Sequence, residues 1–252
     1  MGWLNVIDAG NYTPRNNIEE QLGNNMSVLQ FISVQNISEV KMKSVKVLCW
    51  VNTYHKTHAR AASIKATWGK RCDKLLFMSD IEDLQVPSVR IVAPPTHDHL
   101  WQKHRQVVAI LYREFGDKYD WIFKCDDDTY LIMENLKHYL LSPAIATNAK
   151  SPMLVGHRMT LQWWLMQDAF GDIHAMQRDR RYFLLNTLQE TKDQGGLYYT
   201  PGGGGYAFNA AYLKLLVESL DEPFCLPDEI VPDDWAISFC MRYHGVTPLD
   251  TR

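Results

Sequence analysis

Asp120-Trp121-Ile122-Phe123-Lys124-Cys125 runs without a break into Asp126-Asp127-Asp128, and Thr129-Tyr130-Leu131-Ile132 follows. The first six residues read as a strand, and no turn residue separates it from the acids. In extended backbone, residues two apart point the same way, so Asp126 and Asp128 reach one cation together while Asp127 faces elsewhere. Hard carboxylate oxygens suit Mg2+ or Mn2+, ions that keep positions open for substrate phosphates. The competing reading is an acidic surface turn, because Asp is frequent in loops. The apolar residues on both sides oppose it, and three adjacent carboxylates repel one another unless a cation joins them. Two rival motifs fail. The sixth position of an EF-hand loop lacks its glycine, and Tyr130 stands where the Asp-x-Asp-x-Thr of aspartyl phosphatases needs Thr.

Working upstream, residues 45–51 form a largely buried strand ended by Asn52-Thr53. Residues 59–68 read as a short helix with apolar Ala62, Ile64 and Ala66, closed by Gly69. Residues 74–78 and 89–92 are two more strands, the second stopped by Pro94-Pro95. Residues 100–115 carry Val107, Ile110, Leu111 and Phe115 on one helical stripe, with Gly116 after it, and residues 135–141 are helical. Strand, helix, strand, strand, helix, strand is the alternation of an open α/β sheet. Ligands of such sheets sit beyond the carboxyl ends of the strands, and the acidic triplet falls at one of those ends.

Downstream, residues 157–200 hold aromatic and charged clusters without a clear period and read as an insertion or lid. Gly202 to Gly205 precede Tyr206 and a helix over residues 209–220. Such glycines let backbone approach a ligand and present free N–H groups, although taken alone a flexible turn is the favoured reading. Pro232-Asp233-Asp234-Trp235 opens a last helix to about residue 243. A carboxylate there can act as general base for a substrate hydroxyl or simply cap the helix; Asp233 as cap with Asp234 as base satisfies both, and the residues alone do not decide between them. His244 is a candidate third metal ligand, with a structural role favoured. His97, His99 and His104 read as surface residues.

The net charge of −3 over 252 residues, with acids and bases interleaved, argues against nucleic acid as a partner. No apolar run approaches the ~20 residues of a membrane span. Asn11, Asn25 and Asn36 each begin an N-glycosylation sequon, a pattern of lumenal proteins. Residues 1–43 are polar and read as a stem, with the folded domain from 44 to 252. Of the five cysteines none form Cys-x-x-Cys. Their positions suit two local disulfides, Cys49 with Cys72 and Cys225 with Cys240, leaving Cys125 free; the alternative is five reduced, buried thiols.

An ordered series then resembles a known family: Val47-Leu48-Cys49-Trp50-Val51, Ile64-Lys65-Ala66-Thr67-Trp68, Arg71-Cys72-Asp73-Lys74, Leu76-Phe77-Met78-Ser79, Asp126 to Tyr130, Gly202 to Tyr206 and Cys240-Met241. It is similar to the core 1 β1,3-galactosyltransferases of glycosyltransferase family 31, over residues 45–160 and 192–252. The resemblance implies a GT-A-like (Rossmann-like) α/β fold, a mixed central sheet flanked by helices. It implies Mn2+, UDP-galactose as donor, and inverting transfer to the 3-hydroxyl of N-acetylgalactosamine on Ser or Thr of a glycoprotein. By analogy Asp126 and Asp128 hold the metal and Asp234 is the base. Thr53, Arg60, Asp98, Lys103 and Asp127 contact the donor, and Gly203 and Gly204 line its sugar. The cysteine pairings match those of the family. The expected setting is the Golgi, as a type II membrane protein whose anchor is not in this sequence, with a homodimer as one assembly. The family's third metal ligand, a His, lies past the residue matching Arg252, and residues 161–191 have no counterpart. Two alternatives follow: a fringe-like β1,3-N-acetylglucosaminyltransferase, and a paralogue that binds donor or glycoprotein without turnover.

Overall fold

Val47, Leu48, Cys49, Trp50 and Val51 have no exposed surface, which is what a strand covered on both faces requires. They belong to a computed structural model that describes residues 39–94, 96–162, 165, 178–226 and 231–251. The sequons at Asn11, Asn25 and Asn36, and most of the span read as a stem, lie outside those residues. Chain order begins with α1 (Glu39–Lys43), β1 (Val47–Asn52), α2 (His58–Ala66), β2 (Lys74–Ser79) and β3 (Ser88–Arg90). It continues with α3 (Leu100–Phe115), β4 (Trp121–Asp126), α4 (Met133–Leu140), α5 (Pro143–Ala146), β5 (Leu154–Gly156) and β6 (Met159–Gln162). Then come α6 (Arg178–Thr191), β7 (Gly196–Tyr199), β8 (Tyr206–Asn209), α7 (Ala210–Ser219), α8 (Asp233–Arg242) and β9 (Leu249–Asp250).

Seven strands form one sheet in the order β3-β2-β1-β4-β8-β5-β9, and β6 pairs with β7 in a separate two-stranded sheet. β1 to β4 are parallel, β8 runs antiparallel between β4 and β5, and β9 is parallel to β5. Alternate residues of β1 feed two cores. Leu48 and Trp50 pack with Val107 and Leu111 of α3, Leu216 of α7 and Ile237 of α8. Val47, Cys49 and Val51 pack with Ala61 and Ile64 of α2 and Leu140 of α4. Helices therefore cover both faces, and truncating a side chain such as Leu111 to Ala costs about 2–5 kcal/mol. This is the mixed, helix-flanked GT-A-like sheet expected from the sequence.

Two readings of the local sequence change. Helix α2 buries His58, Ala61 and Ile64, not Ala62 and Ala66, which are exposed. Alanine carries little burial energy, so its presence on a face is a poor guide. A separate short turn, Trp68–Arg71, follows the helix and includes Gly69. Within residues 157–200 the β6–β7 pair buries Leu161 against Leu197, and α6 is a helix where the sequence shows no clear period.

The structure holds disulfides between Cys49 and Cys72 and between Cys225 and Cys240, with Cys125 free and buried. Among the described residues no helix is long and apolar enough to cross a membrane.

Candidate active site

The chain runs from β1 outward to β2 and β3, then returns to place β4 on the other side of β1. That reversal is the switch point at which an open α/β sheet has a crevice beyond its carboxyl ends. The register sets Asn52 beside Asp126 there. The crevice is a cleft of about 470 Å3 whose lining includes Thr53, Arg60 and Lys103 and all three acids, a size suited to a nucleotide-sized ligand. Of the residues expected at the donor, Asp98, Gly203 and Gly204 are not in that lining; Asp98 is exposed on the turn His97–His99, and only His97 of that turn reaches the lining.

The triplet is not extended throughout. Asp126 ends β4, and Thr129 N–H donates to the Asp126 carbonyl at 3.2 Å, closing a turn over Asp127 and Asp128. The turn separates the roles. Asp127 accepts from Thr53 Oγ1 at 2.7 Å and from Thr57 Oγ1, and lies 3.5 Å from Arg60; its side chain is 9% exposed. Asp126 and Asp128 keep side chains that are 40% and 66% exposed at the cleft. Among the described residues no three His, Cys, Asp or Glu side chains group as a metal site. These two cleft-facing carboxylates, with Lys124 Nζ 3.6 Å from Asp126 and Arg60 3.8 Å from Asp128, nevertheless fit Mg2+ or Mn2+, which commonly takes one or two protein carboxylates and completes its shell with phosphate and water. Lys103 donates to the Thr53 carbonyl at 2.9 Å; burial pulls its pKa down to about 8 against the pull of Asp126 and Asp80.

Across from the acids lies the glycine loop. Because β8 is antiparallel to β4, with Lys124 opposite Tyr206, the residues before Tyr206 meet the carboxyl end of β4. The helix does not follow the glycines directly, as the sequence suggested; β8 intervenes and carries Asn209, which caps α7 by accepting from Tyr212 N–H. Gly203 accepts from Thr129 Oγ1 at 2.6 Å, and its Cα faces Asp126, where an added Cβ would lie 3.4 Å from Oδ2. Gly204 has open space beside it, with the Pro201 carbonyl 3.9 Å from where its Cβ would be. Gly205 has φ of +84°, and a Cβ there would lie 2.6 Å from the Phe123 ring, so any other residue is strained at this position.

Asp233 does not cap α8. Pro232 holds the cap position, and the Asp233 side chain turns inward, accepting from His104 Nδ1 at 3.0 Å and lying 3.3 Å from Lys124 Nζ. Burial alone would raise its pKa, but Lys124 and His104 outweigh that and hold it well below the usual carboxylate range. Asp234 accepts from Gly202 N–H at 3.2 Å and from its own neighbour Trp235 N–H at 2.9 Å. Burial first, then the charge of Asp233, push its carboxyl up to about 6. That value suits proton acceptance near neutrality.

His104 is buried, not on the surface: it is 1% exposed, packed between Trp50 and Trp101, and burial lowers its pKa. Its signal was present, since it shares a helical stripe with Trp101, Val107, Val108 and Leu111. Lys124 was missed too, although a charge inside Ile122-Phe123-Lys124-Cys125 is conspicuous. His244 stands past the far end of α8, a helix of 10 residues and so about 15 Å long, and pairs with Ser219 Oγ at 2.7 Å. It takes the structural role.

A mixed sheet with its crevice at the β1–β4 switch point is GT-A-like. The chain belongs to the Fringe-like family, whose profile matches residues 42–250. It is 27% identical over 240 residues to glycoprotein-N-acetylgalactosamine 3-beta-galactosyltransferase 1 of Xenopus laevis, covering 91% of this chain and 56% of that protein. It is 26% identical over 221 residues to beta-1,3-glucosyltransferase of Mus musculus, covering 87% and 38%. The chain spans about half the length of the curated relatives it matches. Among solved structures, 4-diphosphocytidyl-2C-methyl-D-erythritol synthase from Anaerococcus prevotii DSM 20548 aligns with a TM-score of 0.42 at 10% identity, covering 84% of this chain and 90% of that one.

Proposed function

We propose that this chain is an inverting β1,3-glycosyltransferase domain that moves galactose from UDP-galactose to the 3-hydroxyl of N-acetylgalactosamine O-linked to Ser or Thr of a glycoprotein. The observation that carries the reading is the combination of two solvent-exposed cleft carboxylates, Asp126 and Asp128, with the raised carboxyl of Asp234 beside the facing glycine loop. Membership of the Fringe-like family supports it, as does the galactosyltransferase among the relatives. The relatives differ in the sugar that they are named for, so the donor needs its own test.

Asp126 and Asp128 would hold Mn2+, which when bound neutralises charge on a leaving nucleoside diphosphate. Arg60 and Lys103 bring positive charge to the same cleft. Asp127, held by Thr53 and Thr57, keeps the carboxyl end of β1 against the acidic turn. Asp234, oriented by the N–H groups of Gly202 and Trp235, takes the proton of the acceptor hydroxyl. The bond from that oxygen to the sugar's anomeric carbon forms as the bond to the diphosphate breaks, and the electron pair leaves with UDP. A single displacement of this kind inverts the anomeric centre. The two disulfides favour an oxidising, lumenal setting, in keeping with the Golgi. A membrane anchor and a homodimer belong to the same proposal.

The test is calorimetric titration of UDP with and without Mn2+, followed by transfer from UDP-galactose, UDP-glucose and UDP-N-acetylglucosamine to an N-acetylgalactosaminyl glycopeptide. Mn2+-dependent UDP binding with galactose transfer is the expected result. Binding without transfer from any donor would leave a catalytically inactive paralogue that binds the donor, and transfer only of N-acetylglucosamine the fringe-like reading. No UDP binding in either condition removes the donor site altogether.

A further inference from the structure

Lys124 is 1% exposed in a strand that is otherwise apolar up to Asp126. Its Nζ lies 3.3 Å from Asp233 Oδ2 and 3.6 Å from Asp126 Oδ1, and 5.6 Å from the centre of the Tyr206 ring. A Cβ on Gly202 would fall 2.4 Å from the same Nζ, so the ammonium fills the space that any side chain at 202 would need. One buried cation thus touches three pieces of the site: the end of β4, the first turn of α8, and the glycine loop. Buried ion pairs of this kind are weak contributors to stability, because well-packed apolar residues do as well. What the pairing does supply is geometry. Asp126 belongs to the donor side, while the next residue after Asp233 is Asp234, whose carboxylate is in turn held by Gly202 N–H.

We propose that Lys124 is a positioning residue, a single ammonium that sets Asp126 and the first turn of α8 at a fixed separation, with Gly202 the one residue small enough to lie over it. This rests on the glycosyl-transfer reading above. Lys124 touches no reacting atom; it acts through Asp126, Asp233 and the loop. The rival account is that Lys124 only neutralises Asp233.

Lys124→Met alone leaves Asp233 buried without its cation and destabilises the fold whichever account holds. The informative protein is the double variant Lys124→Met/Asp233→Asn, which removes both charges and leaves an amide oxygen for His104. Three quantities are measured: thermal midpoint, initial transfer rate, and hydrogen exchange of the Gly202 amide by NMR. The expected result is a midpoint near wild type, a transfer rate about a hundredfold lower, and a Gly202 amide that exchanges at least about tenfold faster because its bond to Asp234 is no longer aligned. An unchanged exchange rate overturns the inference, and so does an unchanged transfer rate in a wild type that transfers. If the wild-type chain transfers nothing while the Gly202 amide still loses protection, the fault lies in the assigned function, and the positioning role of Lys124 stands.

Discussion

Asp234→Asn isolates the proposed base. Asparagine keeps an oxygen for Gly202 N–H but accepts no proton, so turnover falls by about 10²–10⁴-fold, the usual worth of a positioned base. UDP binding stays as it is, because Asp234 is outside the cleft lining. The pH dependence follows from burial and the neighbouring Asp233, which push the carboxyl up to about 6 from an ordinary 3.8. About nine-tenths is ionised at pH 7 and about one-tenth at pH 5, so kcat rises roughly tenfold between them; an ordinary aspartate would give a flat profile over that range. Stability runs the other way. The folded state binds this proton more tightly than the unfolded chain does, so the associated stabilisation is complete below 3.8 and is lost as pH rises through about 6. At neutral pH the ionised carboxylate is therefore a burden of up to about 3 kcal/mol, and Asp234→Asn raises the thermal midpoint by some degrees at pH 7 and not at pH 4. The assays are steady-state transfer from pH 5 to 8 and thermal scans at the two pH values. A flat kcat profile, or a variant that turns over at the wild-type rate, would refute the assignment.

Asp128→Ala, which removes one exposed cleft carboxylate, should weaken Mn2+-dependent UDP binding at least about tenfold in calorimetry, and chelation of the metal should do the same to wild type; equal affinities would remove Asp128 from the metal site. Cys49→Ser/Cys72→Ser opens a link of sequence separation 23 and should cost about 3 kcal/mol of stability, read by denaturant titration. Gly205→Ala places a methyl group on the Phe123 ring at a positive φ; it should lower stability by about 1–3 kcal/mol and reduce transfer, while an unaffected protein would mean that the loop is not fixed against β4.

What was legible in the sequence is what local pattern controls. Helix α3 shows its full extent because an apolar stripe ends at Gly116, and β4 is readable because four apolar residues lead into the acids. The strands β5 and β8, of 3 and 4 residues, are too short to show a period, and nothing local says that β8 runs against β4. That antiparallel insertion is what carries the glycines to the acidic turn. Asp233 looked like a cap because Asp often is one; its partners Lys124 and His104 come from β4 and α3, and only tertiary packing brings them together. His104 is a different failure, since the stripe around it was visible and histidine was merely presumed polar.

The pairing of Gly156 with Tyr206 has a consequence for how such a domain can diversify. The chain leaves the sheet at one of these residues and re-enters at the other, so exit and entrance share a single doorway. The β6–β7 pair and α6 lie on the detour between them, which returns to the ladder through the glycine loop held against Asp126 and Asp234. Lengthening or exchanging that detour asks no strand to move. Variation can then gather ahead of the glycine loop while the cleft at the carboxyl ends of β1 and β4 stays as it is.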